Sequence, residues 1–386
     1  VAAAAAAGRC GGGTLSGPDA SAAAHPVPRI WLLLGDKPGD NAQARAVADA
    51  LGRPYEIKTL LPRPEWVLGK PRFRPTLDHL DLARSDRLEP PWPDLVITIG
   101  RRPSAAALWL QERSPRTRLV IVGRPKRWPD RFALIVAPTQ FRVDRAANVV
   151  ALDLPLVGVD PERLGQARAE WQGRLADLRR PLTAVFVGGE TKPFRFDADV
   201  ARGLLGRLDA ARDGGSLYVT TSRRTRPEVI DVLERGVREG DRLYRWRPEG
   251  GADNPYLGLL AHADRFVVTG DSVSMMVEVA RLGRPLAIAE LPHQPDLGTT
   301  LRRHLVRALD PREGSGPLGR LGGLLTRAGL LGYGRDIEAL HRWLYGRRRA
   351  VPLGMPLLPP TAGIGLELAE VRRRIEALLP ARLARP

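Results

Sequence analysis

The 386-residue chain has one cysteine, Cys10, so no disulfide closes within it and no cysteine-based metal site is available. That scarcity suits the cytosol or its membrane face. Histidine is scarce too: six residues are too few for a convincing transition-metal cluster. No stretch reaches the ~18 consecutive apolar residues that a membrane-spanning helix needs. Motifs are missing as well. Without G-x-x-x-x-G-K-[ST], a P-loop nucleotidase is disfavoured, and without G-x-G-x-x-G after the first predicted strand, so is a dinucleotide oxidoreductase. Neither H-E-x-x-H nor G-x-S-x-G occurs. Trp and Arg are scattered without an RNA-binding signature, so nucleic acid is not an expected partner.

What is present is charge and length. The formal net charge is +17, from 60 Lys+Arg against 43 Asp+Glu. Such a balance implies an anionic partner: nucleic acid, a membrane surface or a phosphorylated substrate. Nearly all the bases are Arg, however, and Ala, Gly and Pro are also abundant, as GC-rich codons would give; both readings of the charge stay open. The most basic segment runs from Leu301 to Ala350, with eleven Arg against four acids. Residues 1–26 are rich in Ala and Gly and lack the basic and Leu-rich regions of a secretion signal. They are expected to be a disordered or over-called leader.

Short apolar runs alternate with helical patterns from Arg29 onward. Strands are predicted at RIWLLL (29–34), YEIKTL (55–60), DLVITI (94–99), LVIVG (119–123), ALIVA (133–137) and 149–152. A second series follows at LTAVFVGG (182–189), SLYVTT (216–221), 242–246, 266–269 and 286–290. Helices are expected at Ala42–Leu51, Ala105–Glu112, Asp160–Leu178, Asp197–Arg212, Pro227–Gly236 and Tyr256–His262, and from the Ser272 turn to Gly283. This alternation predicts an α/β protein with two Rossmann-like domains and parallel sheets. The expected boundaries are 27–158, 180–309 and a basic helical extension over 310–386. The linker is placed near the Asp160–Leu178 helix.

Ligands bind at the carboxyl ends of such strands. In the second half three polar loops follow three strands: Gly188, Gly189 and Lys192; Ser222, Arg223 and Arg224; Gly270, Asp271, Ser272 and Ser274. Gly and Ser amides at a helix start cradle phosphate, and Arg adds bidentate contacts. Glu278, further along the helix, would accept hydrogen bonds from ribose hydroxyls. In the first half, Asp36, Lys37 and Asp40 form either a capped turn or a site with a catalytic acid or base. His293 reads as structural.

GDKPGDNAQ (35–43), VGGETKPF (187–194), TSRRT (221–225) and TGDSVSMMVE (269–278) together resemble the "elongated mitochondria" family of mitochondrial fission. The resemblance covers roughly Arg29 to Leu309. That family in turn resembles GT-B glycosyltransferases. The spacing from Glu278 to Gly283 and Pro285 is similar to the nucleotide-sugar helix of the lipid-linked N-acetylglucosaminyltransferase of peptidoglycan synthesis. The resemblance implies a donor nucleotide sugar on the second domain, with Glu278 on the ribose and Gly270, Ser272 and Ser274 on the diphosphate. Asp271 fits this poorly, because a carboxylate repels a diphosphate; it would cap the helix or bind a sugar hydroxyl. The implied reaction transfers a sugar to a membrane-associated or cell-envelope acceptor, with Asp40 or Asp36 as general base and no cofactor or metal. The basic C-terminal segment would meet an anionic membrane at the inner face. The alternative is a non-catalytic adaptor that binds a protein partner, as implied for the plant members.

Overall fold

The computed structural model describes residues 27–67, 73–141, 143–144, 146–248, 253–294, 317–327 and 335–379. The leader over 1–26, with Cys10, and the start of the basic segment over 301–316 lie outside them.

The first half runs β1 (Ile30–Leu34), α1 (Pro38–Asp49), β2 (Glu56–Thr59), α2 (Pro64–Val67), β3 (Leu95–Ile99), α3 (Arg101–Arg113), β4 (Arg118–Val122), β5 (Leu134–Pro138) and β6 (Val149–Leu152). Its six strands are all parallel, in the order β2-β1-β3-β4-β5-β6. A parallel sheet covered on both faces needs apolar side chains at every position, which explains runs such as IWLLL. Alternate residues then enter opposite layers. Ile30, Leu32 and Leu34 join Val47 and Ile97 on one side. Trp31 and Leu33 join Phe73, Val96 and Leu108 on the other.

The second half runs α4 (Pro161–Trp171), β7 (Thr183–Phe186), α5 (Ala198–Ala211), β8 (Leu217–Thr220), α6 (Pro227–Gly236), β9 (Arg242–Tyr244), α7 (Tyr256–His262), β10 (Arg265–Thr269), α8 (Val273–Arg281) and β11 (Leu286–Ala289). Three later helices, Pro317–Arg327, Ile337–Gly346 and Ala369–Glu376, and the short strand β12 (Val351–Pro352) follow. The second sheet is also parallel, in the order β12-β11-β10-β7-β8-β9. Counted from β7, this is the strand order of the dinucleotide-binding Rossmann fold, which reverses direction between β7 and β10. The first sheet reverses between β1 and β3. Those two reversals place the crevices where ligands bind in open α/β sheets.

Several expectations shift. α1 begins at Pro38 rather than Ala42, with Lys37 in the cap position. Proline suits the first turn, where its missing N–H would have no partner. Neither Asp40 nor Asn41 caps that helix. Asn41 instead clamps the loop, accepting from the Gly35 amide at 3.1 Å and donating to the Gly35 carbonyl at 2.8 Å. α3 begins at Arg101 rather than Ala105, with Pro103 absorbed in its first turn. The helix expected over 160–178 ends at Trp171, and a 3-10 turn follows at Gly173–Leu175. It packs on α7, where a side chain at Gly258 would overlap the Trp171 indole. The helix therefore belongs to the second half, and the crossing lies upstream of it.

The C-terminal residues are shared between the halves rather than forming an extension of their own. β12 joins the edge of the second sheet, pairing Ala287 with Val351. Val371 and Ile375 of the last helix are buried in the core of the first half.

Candidate functional site

Register brings the loops of the second half together. Val268 of β10 lies beside Phe186 of β7, which lies beside Thr220 of β8. The three polar loops therefore leave the sheet side by side, around one residue. Asp271 is 3% exposed. One carboxylate oxygen accepts from the Gly189 amide at 3.0 Å and pairs with Arg224 Nη2 at 3.2 Å. The other accepts from Thr269 Oγ1 at 2.8 Å and Ser272 Oγ at 3.3 Å. Burial pushes the carboxyl up, against the opposing pull of Gly189, Arg224 and the hydroxyls. Asp271 is thus a cross-brace between loops. It does not cap α8.

The glycines beside it are dictated by this closeness. A Cβ at Gly188 would overlap Ser272 Oγ and the Asp271 carboxylate, and one at Gly189 would overlap the Arg224 backbone. The Gly188 amide donates to Thr269 Oγ1 at 2.8 Å, and its carbonyl accepts from Ser222 Oγ at 2.9 Å. Arg224 also donates to Thr191, so its guanidinium is bound within the protein. Ser272, Arg224 and Asp271 are therefore brought together but already partnered.

What stays open is the rim. Lys192, Arg223 and Ser274 are exposed. The amides of Val273, Ser274 and Met275, in the first turn of α8, have no partner earlier in the helix. Gly270 is held from behind: its amide donates to Ala289 O at 2.9 Å, and its carbonyl meets His341 Nε2 at 2.8 Å. His341 comes from the Ile337–Gly346 helix, and burial holds its ring toward the neutral form. On α8, Glu278 accepts from the Tyr256 hydroxyl, and the Tyr256 ring lies 4.7 Å from that of Phe186. Burial raises the Glu278 carboxyl to about 7, partly countered by that hydrogen bond.

In the first half, the loops after β1 and β3 meet at the other reversal. A Cβ at Gly35 would lie 3.2 Å from the Pro103 ring, and one at Gly100, which has φ +81°, 3.6 Å from Asp40 Oδ2. The two candidate bases differ. Asp36 is ion-paired with Arg102 at 2.8 Å, and Arg102 also donates to Trp66 O. Asp40 sits in the first turn of α1, half-buried, where the helix dipole favours a carboxylate.

One helix touches both halves. Asp336 N, at the start of the Ile337–Gly346 helix, donates to Gln140 O just after β5, while His341 of the same helix supports Gly270. At the far end of α8 the buried Arg281 donates to Pro155 O at 2.9 Å and to Ile364 O at 3.2 Å. It fastens both chain crossings to the helix that opens at the site. Thr191, Thr225 and Thr269 lie inside the motif strings, yet their bracing role depends on contacts across the sheet. Tyr256, Arg281 and His341 have no local signal. Among the described residues there is no cluster of three or more His, Cys, Asp or Glu that could hold a metal.

Two six-stranded parallel sheets, each flanked by helices and each with a Rossmann-like reversal, define a GT-B-like α/β protein. Residues 38–309 match the family described as Mitochondrial fission ELM1, and the chain belongs to that family. An uncharacterized protein of Rickettsia prowazekii is 24% identical over 301 residues, covering 68% of this chain and 84% of that protein. The mitochondrial fission protein ELM1 of Arabidopsis thaliana is 28% identical over 238 residues, and the match spans 55% of each chain. Among solved structures, the UDP-GlcNAc 2-epimerase of Methanocaldococcus jannaschii aligns with a TM-score of 0.45 at 11% identity, over 91% of this chain and 99% of that one. A glycosyltransferase from Rickettsia africae aligns at 0.43 and 10%, over 92% and 98%. Likeness so distant adds nothing to the strand order, which carries the fold by itself.

Proposed function

We propose that the protein binds a nucleoside-diphosphate sugar on its second domain and transfers the sugar to a membrane-associated or cell-envelope acceptor on its first. The observation that carries this reading is the braced turn at the β7/β10 reversal, which leaves the first-turn amides of α8 without helix partners while Lys192 and Arg223 are exposed on the neighbouring loops. A diphosphate fits amides and cations so placed. In this reading Glu278 receives the ribose hydroxyls, and Asp271 keeps the turn in shape rather than touching the anion.

The chemistry then needs no metal. Asp40 takes the proton of the acceptor hydroxyl. The acceptor oxygen bonds the anomeric carbon as the bond to the diphosphate breaks, and the leaving diphosphate keeps the electron pair. The helix start, Lys192 and Arg223 offset its charge. Asp40 takes this role over Asp36, whose carboxylate is committed to Arg102.

A second reading is favoured by one specific feature. Asp271, Arg224 and Ser272 are satisfied within the protein, as in a fold retained for shape by a non-catalytic adaptor. Calorimetric titration with nucleoside diphosphates and their sugars separates the two. The transferase reading expects binding, weakened by about 1–3 kcal/mol in Glu278→Ala through loss of a charged hydrogen bond. Absence of binding at millimolar ligand sinks it. The adaptor reading expects a protein partner whose binding survives that substitution.

A further inference from the structure

Glu278 is held by a residue from another helix. α7 opens on Tyr256, which is fixed at both its backbone and its ring. Asn254 Oδ1 accepts from the Tyr256 amide at 3.1 Å. The Tyr256 ring lies 4.7 Å from that of Phe186, the last residue of β7, and Phe186 lies 5.6 Å from the ring of Phe266 in β10. Phe186 and Phe266 are both fully buried. The hydroxyl is thus carried on a packed aromatic stack, and it donates to Glu278 Oε2. Glu278 Oε1 takes no hydrogen bond among the described residues, yet it is not sealed from solvent. Ser274 and Glu278, four residues apart, share one face of α8. Four residues span about 6 Å along a helix, comparable to the reach from a diphosphate to the hydroxyls of its ribose.

We propose that Tyr256 is a positioning residue for the nucleotide: it holds one oxygen of Glu278 so that the other meets the ribose hydroxyls. The assignment rests on the nucleoside-diphosphate reading and adds to it a group that acts through Glu278. A free glutamate side chain is among the most mobile, and ordering it at the moment of binding weakens binding. The tyrosine settles that orientation beforehand. It also favours the charged carboxylate, the better acceptor for a ribose hydroxyl, against the burial that raises the carboxyl. The other titratable and charged groups on the elements around Glu278 are engaged elsewhere. Arg281 of α8 reaches Pro155 and Ile364, and His341 of the Ile337–Gly346 helix meets Gly270. Arg265 of β10 pairs with Asp213, and His262 of α7 meets Arg168 O.

The test is calorimetric titration of the full chain with UDP, ADP and GDP and with pyrophosphate, across a pH range spanning neutrality. Pyrophosphate has no ribose and probes the helix start alone. Tyr256→Phe removes only the hydroxyl and keeps the ring on Phe186. The variant is expected to bind the preferred nucleotide about ten-fold more weakly near neutral pH, through loss of a hydrogen bond to a charged group. Wild-type nucleotide affinity should rise with pH through about 7 as Glu278 ionises, and the midpoint should move to higher pH in the variant. Titration of the ligand itself is common to both proteins and cancels. Pyrophosphate affinity should be the same in both. A merely structural role would weaken nucleotide and pyrophosphate alike at every pH, and that result overturns the proposal. An unchanged nucleotide affinity and pH profile also overturns it. If the wild type binds nucleotides no better than pyrophosphate, or binds neither, the nucleotide reading itself fails and this assignment falls with it.

Discussion

Replacing Glu278 by Gln tests the site without knowledge of the ligand. The carboxyl is raised from its ordinary 4.5 to about 7, chiefly by burial. A folded-state pKa above the unfolded value means that the native state holds this proton more tightly. The stability it contributes is complete below about pH 4.5 and is lost as the pH rises through about 7. The gap corresponds to a ceiling of about 3 kcal/mol. Glutamine keeps an acceptor for the Tyr256 hydroxyl and carries no charge to bury. Glu278→Gln should therefore match the wild type near pH 4.5 and exceed it by on the order of 2–3 kcal/mol at pH 8. Urea unfolding of both proteins at several pH values reads the difference, and titrations common to both cancel. A difference that stays flat across this range would refute the assignment of a buried, proton-holding carboxyl. If the ligand reading is also right, the substitution that stabilises the protein weakens nucleotide binding at pH 8, the mark of a group kept for function at a cost in stability.

Gly188→Ala should destabilise by about 2–4 kcal/mol in thermal or urea unfolding, because its methyl would have to displace the Asp271 brace. Asp271→Asn should cost about 3 kcal/mol by leaving Arg224 and the Gly189 amide poorly matched, and Arg224→Ala should couple with it in a double-mutant cycle; additive losses would remove the brace. Arg281→Met should cost about 3 kcal/mol by leaving the carbonyls of Pro155 and Ile364 without a donor, and proteolysis should then increase at the crossings. Asp40→Asn should abolish sugar transfer by at least about a hundred-fold while nucleotide affinity holds, whereas Asp36→Asn should act through its ion pair with Arg102 on stability.

Much of this protein was legible in one dimension. Buried parallel strands demand runs such as IWLLL and LVITI, and Gly or Pro punctuates their ends, so eleven of the strands could be placed by local pattern alone. The polar loops after β7, β8 and β10 were likewise visible as candidates. The starts of α1 and α3 were not, because Pro38 and Pro103 look like breaks in sequence and act as first-turn residues in space. β12 was hidden too: a two-residue strand amid prolines has no period to detect.

The roles of individual site residues were decided only by the tertiary structure. From its neighbours in sequence Asp271 is a misplaced charge beside a phosphate turn; its partners are an amide from the β7 loop, a guanidinium from the β8 loop and hydroxyls at the β10 exit. Glu278 could be placed on its helix as an acceptor for ribose hydroxyls, but the Tyr256 contact and the burial that raises its proton affinity come only from the tertiary structure. His341 and Arg281 bear on the site across separations of 71 and 126 residues, reaching Gly270 and Pro155. Local periodicity records which side of a strand or helix is buried, since that depends on solvent alone. A hydrogen bond between distant loops depends on strand order, and strand order is chosen by the packing of the whole chain.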